Sequence, residues 1–211
     1  MMPQEQHLTP AQISAAVQGM VVSILGYLDS DGNPLPNSGY NVRQSWPTGG
    51  APSWAITDDV CFIQAVEFDD EYDRLREVQE LINTPPVTFT EQTSYTRVWE
   101  ITHELYGPNS FDNARKIRSG IFQQKYHDVL VAAIAPMNSG LYLVPDLRPP
   151  MRAPELFADQ WWERVTFHYR LNELVLENDT VGAVQSVEVK IYNQDSPDLA
   201  HPARDLTIIG T

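Results

Sequence analysis

Apolar positions near the start of the chain recur by threes and fours. Ile13, Val17, Met20, Val21, Ile24, Leu25 and Leu28 line one face of a helix. Just ahead of them, Thr9-Pro10-Ala11-Gln12 places a hydroxyl at the N-cap, a proline at the first helical position and a glutamine at the third. In this capping box the Thr and Gln side chains satisfy orphan backbone N–H groups reciprocally. The pattern predicts a helix over 10–27. From 29 to 57 the periodicity lapses into Asp31-Gly32-Asn33-Pro34, Pro36-Asn37-Ser38-Gly39 and Pro47-Thr48-Gly49-Gly50. That is turn chemistry, and so long a stretch reads as a binding loop.

Beyond Asp59 the period becomes two. Residues 60–68 (VCFIQAVEF) predict a strand, whereas 73–82, with Leu75, Val78, Leu81 and Ile82, suits either a strand or a helix. Residues 94–106 predict a strand with Trp99, Ile101, His103 and Leu105 on one face and Val98, Glu100, Thr102 and Glu104 on the other. Gly107-Pro108-Asn109-Ser110 interrupts it. Ser110 is the expected cap of a short helix ending with Gly120 as its left-handed C′ residue, and a second helix is expected over 123–135, ended by Pro136. A short strand follows at 141–144, then four prolines in 145–160 predict an irregular arm. Residues 161–176 form the best strand pattern, with Val165, Phe167, Tyr169 and Leu171 opposite Thr166, His168 and Arg170. Asn178–Gly182 is expected to turn the chain into a partner strand at 184–192, with Val187, Val189 and Ile191 on its buried side. The elements together predict an α/β subunit of α+β type, a mainly antiparallel sheet flanked by helices. Residues 1–192 form one domain in this reading, and 193–211 a polar extension closing on Leu206-Thr207-Ile208-Ile209.

Composition narrows the function classes. The 211 residues are 42% hydrophobic, enough for a core, and no apolar run is long enough to span a bilayer. The opening MMPQEQHLTP has neither a basic nor an apolar signal region, so no secretory leader is expected. Cys61 is the single cysteine, which excludes an intramolecular disulfide and fits a reducing cytoplasm. A formal net charge of −14 repels phosphate, so gripping DNA is disfavoured while letting it slide past is not.

Motifs for chemistry are mostly missing. His7, His103, His127, His168 and His201 lack metal-ligand spacing, and Asp29 and Asp31 start a calcium loop that lacks its later ligands. Gly49-Gly50 is followed by Ala51-Pro52 rather than by the Lys-Ser or Lys-Thr of a phosphate loop. Asp146, Glu188 and Lys190 mimic the carboxylate–carboxylate–lysine set of a magnesium nuclease, but an alternating strand accounts for Glu188 and Lys190 more simply. No catalytic, cofactor or metal residue is therefore assigned. Trp161 and Trp162, adjacent at a strand entry, project to opposite faces, and Trp and Arg are the residues enriched at interface hot spots. They head a set of interface candidates completed by Arg164, Pro149, Pro150, Arg152 and Phe157. Glu67, Asp69, Asp70 and Glu71, four carboxylates in five residues, are candidates for lining a channel.

Several blocks, in order, carry a family resemblance: Thr93-Ser94-Tyr95-Thr96-Arg97-Val98-Trp99, Leu105 to Ala114 (LYGPNSFDNA), Leu141-Tyr142-Leu143-Val144-Pro145-Asp146, Pro154-Glu155-Leu156-Phe157, and Gln160 to Glu173 through Trp161-Trp162-Glu163-Arg164. Over 58–192 the chain resembles the neck-terminator (tail-terminator) proteins of contractile-tailed phages. The resemblance implies a non-enzymatic virion subunit without cofactors, a homohexameric ring that ends the tail tube, meets the sheath and joins the head-side connector. It implies DNA passing through without specific binding, no membrane partner, assembly in the host cytoplasm, and a strand at 73–82. The neighbouring class is a head-completion or adaptor ring protein, and a magnesium-dependent nuclease is the rival outside it.

Overall fold

In a computed structural model the described residues are 7–29, 31–36, 41–45, 53–82, 88–135, 140–182, 186–191 and 204–209, with backbone alone at 82, 88–89 and from 180 onward. They fall into two compact units. The larger comprises Glu5–Arg76 and Ser94–Leu176; the smaller contains Glu77–Thr93 and Glu177–Thr211.

The larger unit begins with helix α1 (Pro10–Leu25), shorter than its predicted range because Gly26 closes it in the left-handed region. The capping box is present: the Gln12 amide N–H donates to Thr9 Oγ1 at 3.3 Å, and the Thr9 N–H donates to Gln12 Oε1 at 2.8 Å. Ile13, Val17, Met20 and Val21 are buried, while Ile24, Leu25 and Leu28 pack against the core's edge. The helix covers a sheet with strand order β1-β2-β4-β9-β5, comprising β1 (Val42–Gln44), β2 (Val60–Glu67), β4 (Thr88–Tyr106), β9 (Arg164–Gly182) and β5 (Gly140–Leu143). Strand β1 is parallel to β2; β2 with β4 and β5 with β9 are antiparallel. The two-residue periods hold: Trp99, Ile101, His103 and Leu105 on β4, and Val165, Phe167, Tyr169 and Leu171 on β9, are all buried.

Helices α2 (Ser110–Gly120) and α3 (Gln124–Ile134) flank the sheet. The Gly107-Pro108-Asn109-Ser110 break has a steric cause. Gly107 has φ +103°, and a Cβ there would lie 2.4 Å from the Asp58 carbonyl oxygen. Asn109, not Ser110, is the N-cap of α2, and the Ser110 hydroxyl is buried without a hydrogen-bond partner among the described residues. Gly120 is likewise helical rather than a left-handed C′ residue, because Ile121 continues right-handed. Its lack of a side chain serves packing instead: a Cβ would meet Ile24 of α1 at 2.7 Å.

Three expectations for the larger unit change. The loop at 29–57 contains β1, whose single buried apolar residue, Val42, gives no alternation to read. The arm at 145–160 is not irregular throughout. Strand β6 (Met151–Arg152) pairs with β9, and β7 (Glu155–Phe157) pairs with β8 (Gln160–Trp162) as a hairpin. Its turn, Ala158-Asp159, has both φ values positive (50° and 58°), the conformation a two-residue hairpin loop demands. The predicted strand at 161–176 consequently splits at Glu163, leaving both tryptophans on the hairpin rather than on β9.

In the smaller unit, β3 (Glu77–Ile82) pairs with β4, so the extended reading of 73–82 holds from Glu77, after a single 3-10 turn at Tyr72–Arg74. The chain does not turn at 178–182, because β9 continues to Gly182. Strand β10 (Ser186–Ile191) pairs antiparallel with β11 (Arg204–Ile209) instead. The register sets Val187 opposite Ile208 and Val189 opposite Leu206, so apolar residues match across the ladder. The apolar close of the expected tail is therefore a strand. The side chains of Val187, Val189 and Ile191, expected to be buried, lie outside the described residues.

Candidate functional site

Among the described residues no group of three or more His, Cys, Asp or Glu is placed to hold a metal ion. Asp146 lies in the larger unit, between β5 and β6, while Glu188 and Lys190 lie on β10 of the smaller one, where side chains are outside the described residues. Asp29 is a surface turn: its carboxylate accepts the Asp31 and Asn33 amide N–H groups at 2.9 and 2.8 Å, and the Asn33 bond foremost holds its pKa below the ordinary value. His103 is a core residue. It stacks on Phe167 at 4.7 Å and on Tyr169 at 5.4 Å, with Nδ1 3.7 Å from Cys61 Sγ, and desolvation lowers its pKa to about 3. Desolvation pushes the Cys61 thiol up, opposite to what a reactive thiolate needs. The sequence pattern did not mark Glu173 as buried. It is fully buried and accepts from the Leu8 amide at 2.7 Å, Trp99 Nε1 at 2.8 Å and Arg97 Nη1 at 3.4 Å, tying the segment ahead of α1 to β4 and β9.

With chemistry of that kind unsupported, the surfaces carry the interest. The hairpin presents Leu156, Phe157 and Trp161 to solvent, with Trp161 69% exposed. Trp162 points the other way and packs edge-on against Trp54 at 6.0 Å and Phe157 at 6.2 Å. Trp54 in turn meets Phe62 at 5.1 Å. Trp54, Phe157 and Trp162, together with Tyr106 and Glu155, border a cavity of about 400 Å³. Glu155 fixes the hairpin, accepting from the Tyr106 hydroxyl at 2.9 Å and pairing with Arg164 at 2.9 Å. Desolvation, then the bond to Glu155, pushes the Tyr106 pKa up to about 12. Arg164 is thus committed within the subunit. Arg152 is engaged too, stacked over Phe111 at 4.8 Å and 3.3 Å from Glu163.

Pro149 and Pro150 wall a larger groove, about 1190 Å³, along α2. Arg118 is tethered there to the carbonyls of Leu147 and Arg148, at 3.0 and 3.2 Å. Arg115 and Lys116, both exposed, have no ion pair among the described residues. The channel candidates lie at the end of β2 and just beyond it, and three of the four are matched: Glu67 with Arg97 at 2.8 Å, Asp69 with Arg74 at 2.6 Å, Asp70 with Arg170 at 3.1 Å. The mutual repulsion expected of them is offset by arginines, Arg74 close by and Arg97 and Arg170 distant in sequence, the latter two beyond what the local pattern shows. Glu71 remains without such a pair among the described residues.

The model of the family described as phage neck terminator protein matches residues 11–196. No curated protein gives a significant match. With the family shown over most of its length, the chain belongs to the phage neck terminator family, a structural component of the virion neck associating with other tail and head proteins.

Proposed function

We propose that the chain closes into a homohexameric ring that ends the tail tube of a contractile-tailed phage, contacts the sheath end and joins the tube to the head-side connector. It does so by geometry, without catalysis. A closed ring presents one face complementary to the tube and another that accepts no further tube subunit. Membership of the neck terminator family carries this reading. The exposed hairpin supports it, since Leu156 and Trp161 stand opposite each other in its register and are both exposed, apolar side chains of the kind that mark association sites. Assembly in the host cytoplasm agrees with the buried, unpaired Cys61. The net charge of −14 favours a lumen lined by acidic or neutral side chains, through which DNA moves without being held.

Reconstruction of the intact particle tests the proposal. A sixfold ring of this chain between tube and connector is the expected result, and a single copy, or copies along the tail, overturns it. Unpaired lysines and arginines within about 10 Å of the axis, one Debye length at 0.1 M salt, would contradict the lumen assignment alone.

A further inference from the structure

Two surfaces at opposite ends of β2 are complementary in charge, and each carries exposed aromatic surface. At the strand's start lies the groove along α2, whose lining includes Arg115 and Lys116, without an ion pair among the described residues, and the apolar Phe122, Pro149 and Pro150. Phe122 is 54% exposed. Two carboxylates also line the groove: Asp59, taken by Asn109, which donates to it from its backbone at 2.9 Å and its side chain at 2.8 Å, and Asp112 in the first turn of α2, which leaves two cations against one uncommitted acid. At the other end of β2 the turn Glu71-Tyr72-Asp73 projects a 58% exposed tyrosine flanked by carboxylates. An aromatic ring between two acids, facing an apolar trough with a cationic rim, is a complementary pair.

We propose that the groove along α2 receives the Glu71-Tyr72-Asp73 turn of a second copy of this chain, Tyr72 against Phe122 and the prolines, Glu71 and Asp73 against Arg115 and Lys116. One copy cannot satisfy its own groove, because the eight residues of β2 hold the two surfaces roughly 25 Å apart. The contact is therefore heterologous, head to tail, the type that closes a ring when the rotation between copies is right. A contact between different patches also leaves the exposed hairpin free for another partner. The inference deepens the ring reading and rests on it. It also assigns the unpaired Glu71 to a subunit contact rather than to the channel wall.

Self-association of the full chain at low ionic strength, followed by sedimentation velocity, is the test. Arg115→Glu with Lys116→Glu should weaken association roughly tenfold or more, and so should Glu71→Lys with Asp73→Lys. Combining all four changes in one chain restores opposite charges across the contact and should recover association. An equimolar mixture of the two charge-reversed variants should recover it as well, by alternation around an even ring. Circular dichroism of each variant separates lost contact from lost fold. Association indifferent to either reversal, or no recovery in a folded four-site variant, overturns the contact. So does a wild type that stays monomeric at every concentration. The ring itself is decided independently by the particle reconstruction, so a sixfold ring with other surfaces in contact removes this inference and leaves the ring standing.

Discussion

Trp99 on β4 and Trp161 on β8 belong to the same larger unit, yet one is 0% exposed and the other 69%. Around Trp99 every demand is met inside the subunit. Its ring lies under the Arg97 guanidinium at 4.6 Å, its N–H is bound by Glu173, and the surrounding face of the sheet is closed by α1. Around Trp161 the hairpin is well formed, but no described residue covers the ring. The helix-covered face is finished by folding, whereas the hairpin supplies its own backbone pairing, engages Glu155 and Trp162 and leaves Leu156 and Trp161 exposed. Mutations should therefore sort by region: losses of fold on the first, losses of assembly with the fold intact on the second.

The largest effect is expected at Glu173. Replacing it with alanine strips the partner from two buried donors, the Leu8 amide and Trp99 Nε1, and leaves Arg97 Nη1 with the Leu8 carbonyl at 3.1 Å. Arg97 keeps its pair with Glu67, so the cost is that of the two orphaned buried donors, about 1–3 kcal/mol each, and chemical denaturation of Glu173→Ala should read a loss of about 2–6 kcal/mol. A loss below about 1 kcal/mol would place it among surface pairs and erase the contrast with the hairpin. Trp161→Ala is the converse experiment. We expect about 2 kcal/mol or more of assembly free energy lost, as at interface hot spots, with the monomer's unfolding midpoint unchanged. A variant that assembles like wild type makes the exposed ring incidental.

Much of the finished region was legible because its side chains obey a single period. Positions 99, 101, 103 and 105, and 165 through 171, alternate without exception, and the Thr9–Gln12 box is local by construction. Glu173 continues the same odd-numbered series. A charge at a core position is read as surface unless its partners are known, and Leu8 and Arg97 are far away in sequence. The hairpin was hidden for another reason. Its turn uses Ala158-Asp159 rather than a glycine pair, and the prolines around it masked three short strands. The pairing of β10 with β11 is equally nonlocal, since a nearer turn competes for the prediction. Of the site candidates, Trp161 and Phe157 were visible as apolar residues beside a proline-rich stretch. The cations Arg115 and Lys116 were not, because on a helix they look like ordinary solvent-facing charge, and only the fold sets them on a groove.

A smaller effect separates the two regions by pH. Folded His103 resists protonation down to about pH 3, whereas its unperturbed value is 6.5. Acid thus stabilises the unfolded chain. The contribution of neutral His103 is fully present above pH 6.5 and falls as pH drops toward 3, at up to about 1.4 kcal/mol per pH unit. Glu67, whose pKa the Arg97 hydrogen bond foremost lowers, acts only below its ordinary value of 4.5, so the interval from 6.5 to 5 reports the histidine. His103→Leu should flatten the stability profile there relative to wild type, whatever it costs at neutral pH. Equal slopes would mean that protonated His103 is accommodated in the fold, contrary to its burial between Phe167 and Tyr169.

The smallest effect tests whether the finished region is fixed at its very start. Thr9 caps α1 through its hydroxyl, and Gln12 returns the bond to the Thr9 backbone. Thr9→Ala removes the acceptor for the Gln12 amide and should cost about 1 kcal/mol. Gln12→Ala instead leaves the Thr9 N–H open at an exposed position, where water replaces the partner, and should cost less. The neighbour of Thr9 gives the cap its second anchor: Leu8 is fully buried, and its N–H is held by Glu173. If Glu173 fixes the entry to α1, the two changes share one structural element, and their costs in the double variant Thr9→Ala/Glu173→Ala should fall short of the sum. Strict additivity in a double-mutant cycle would show that the helix start and the buried carboxylate act separately.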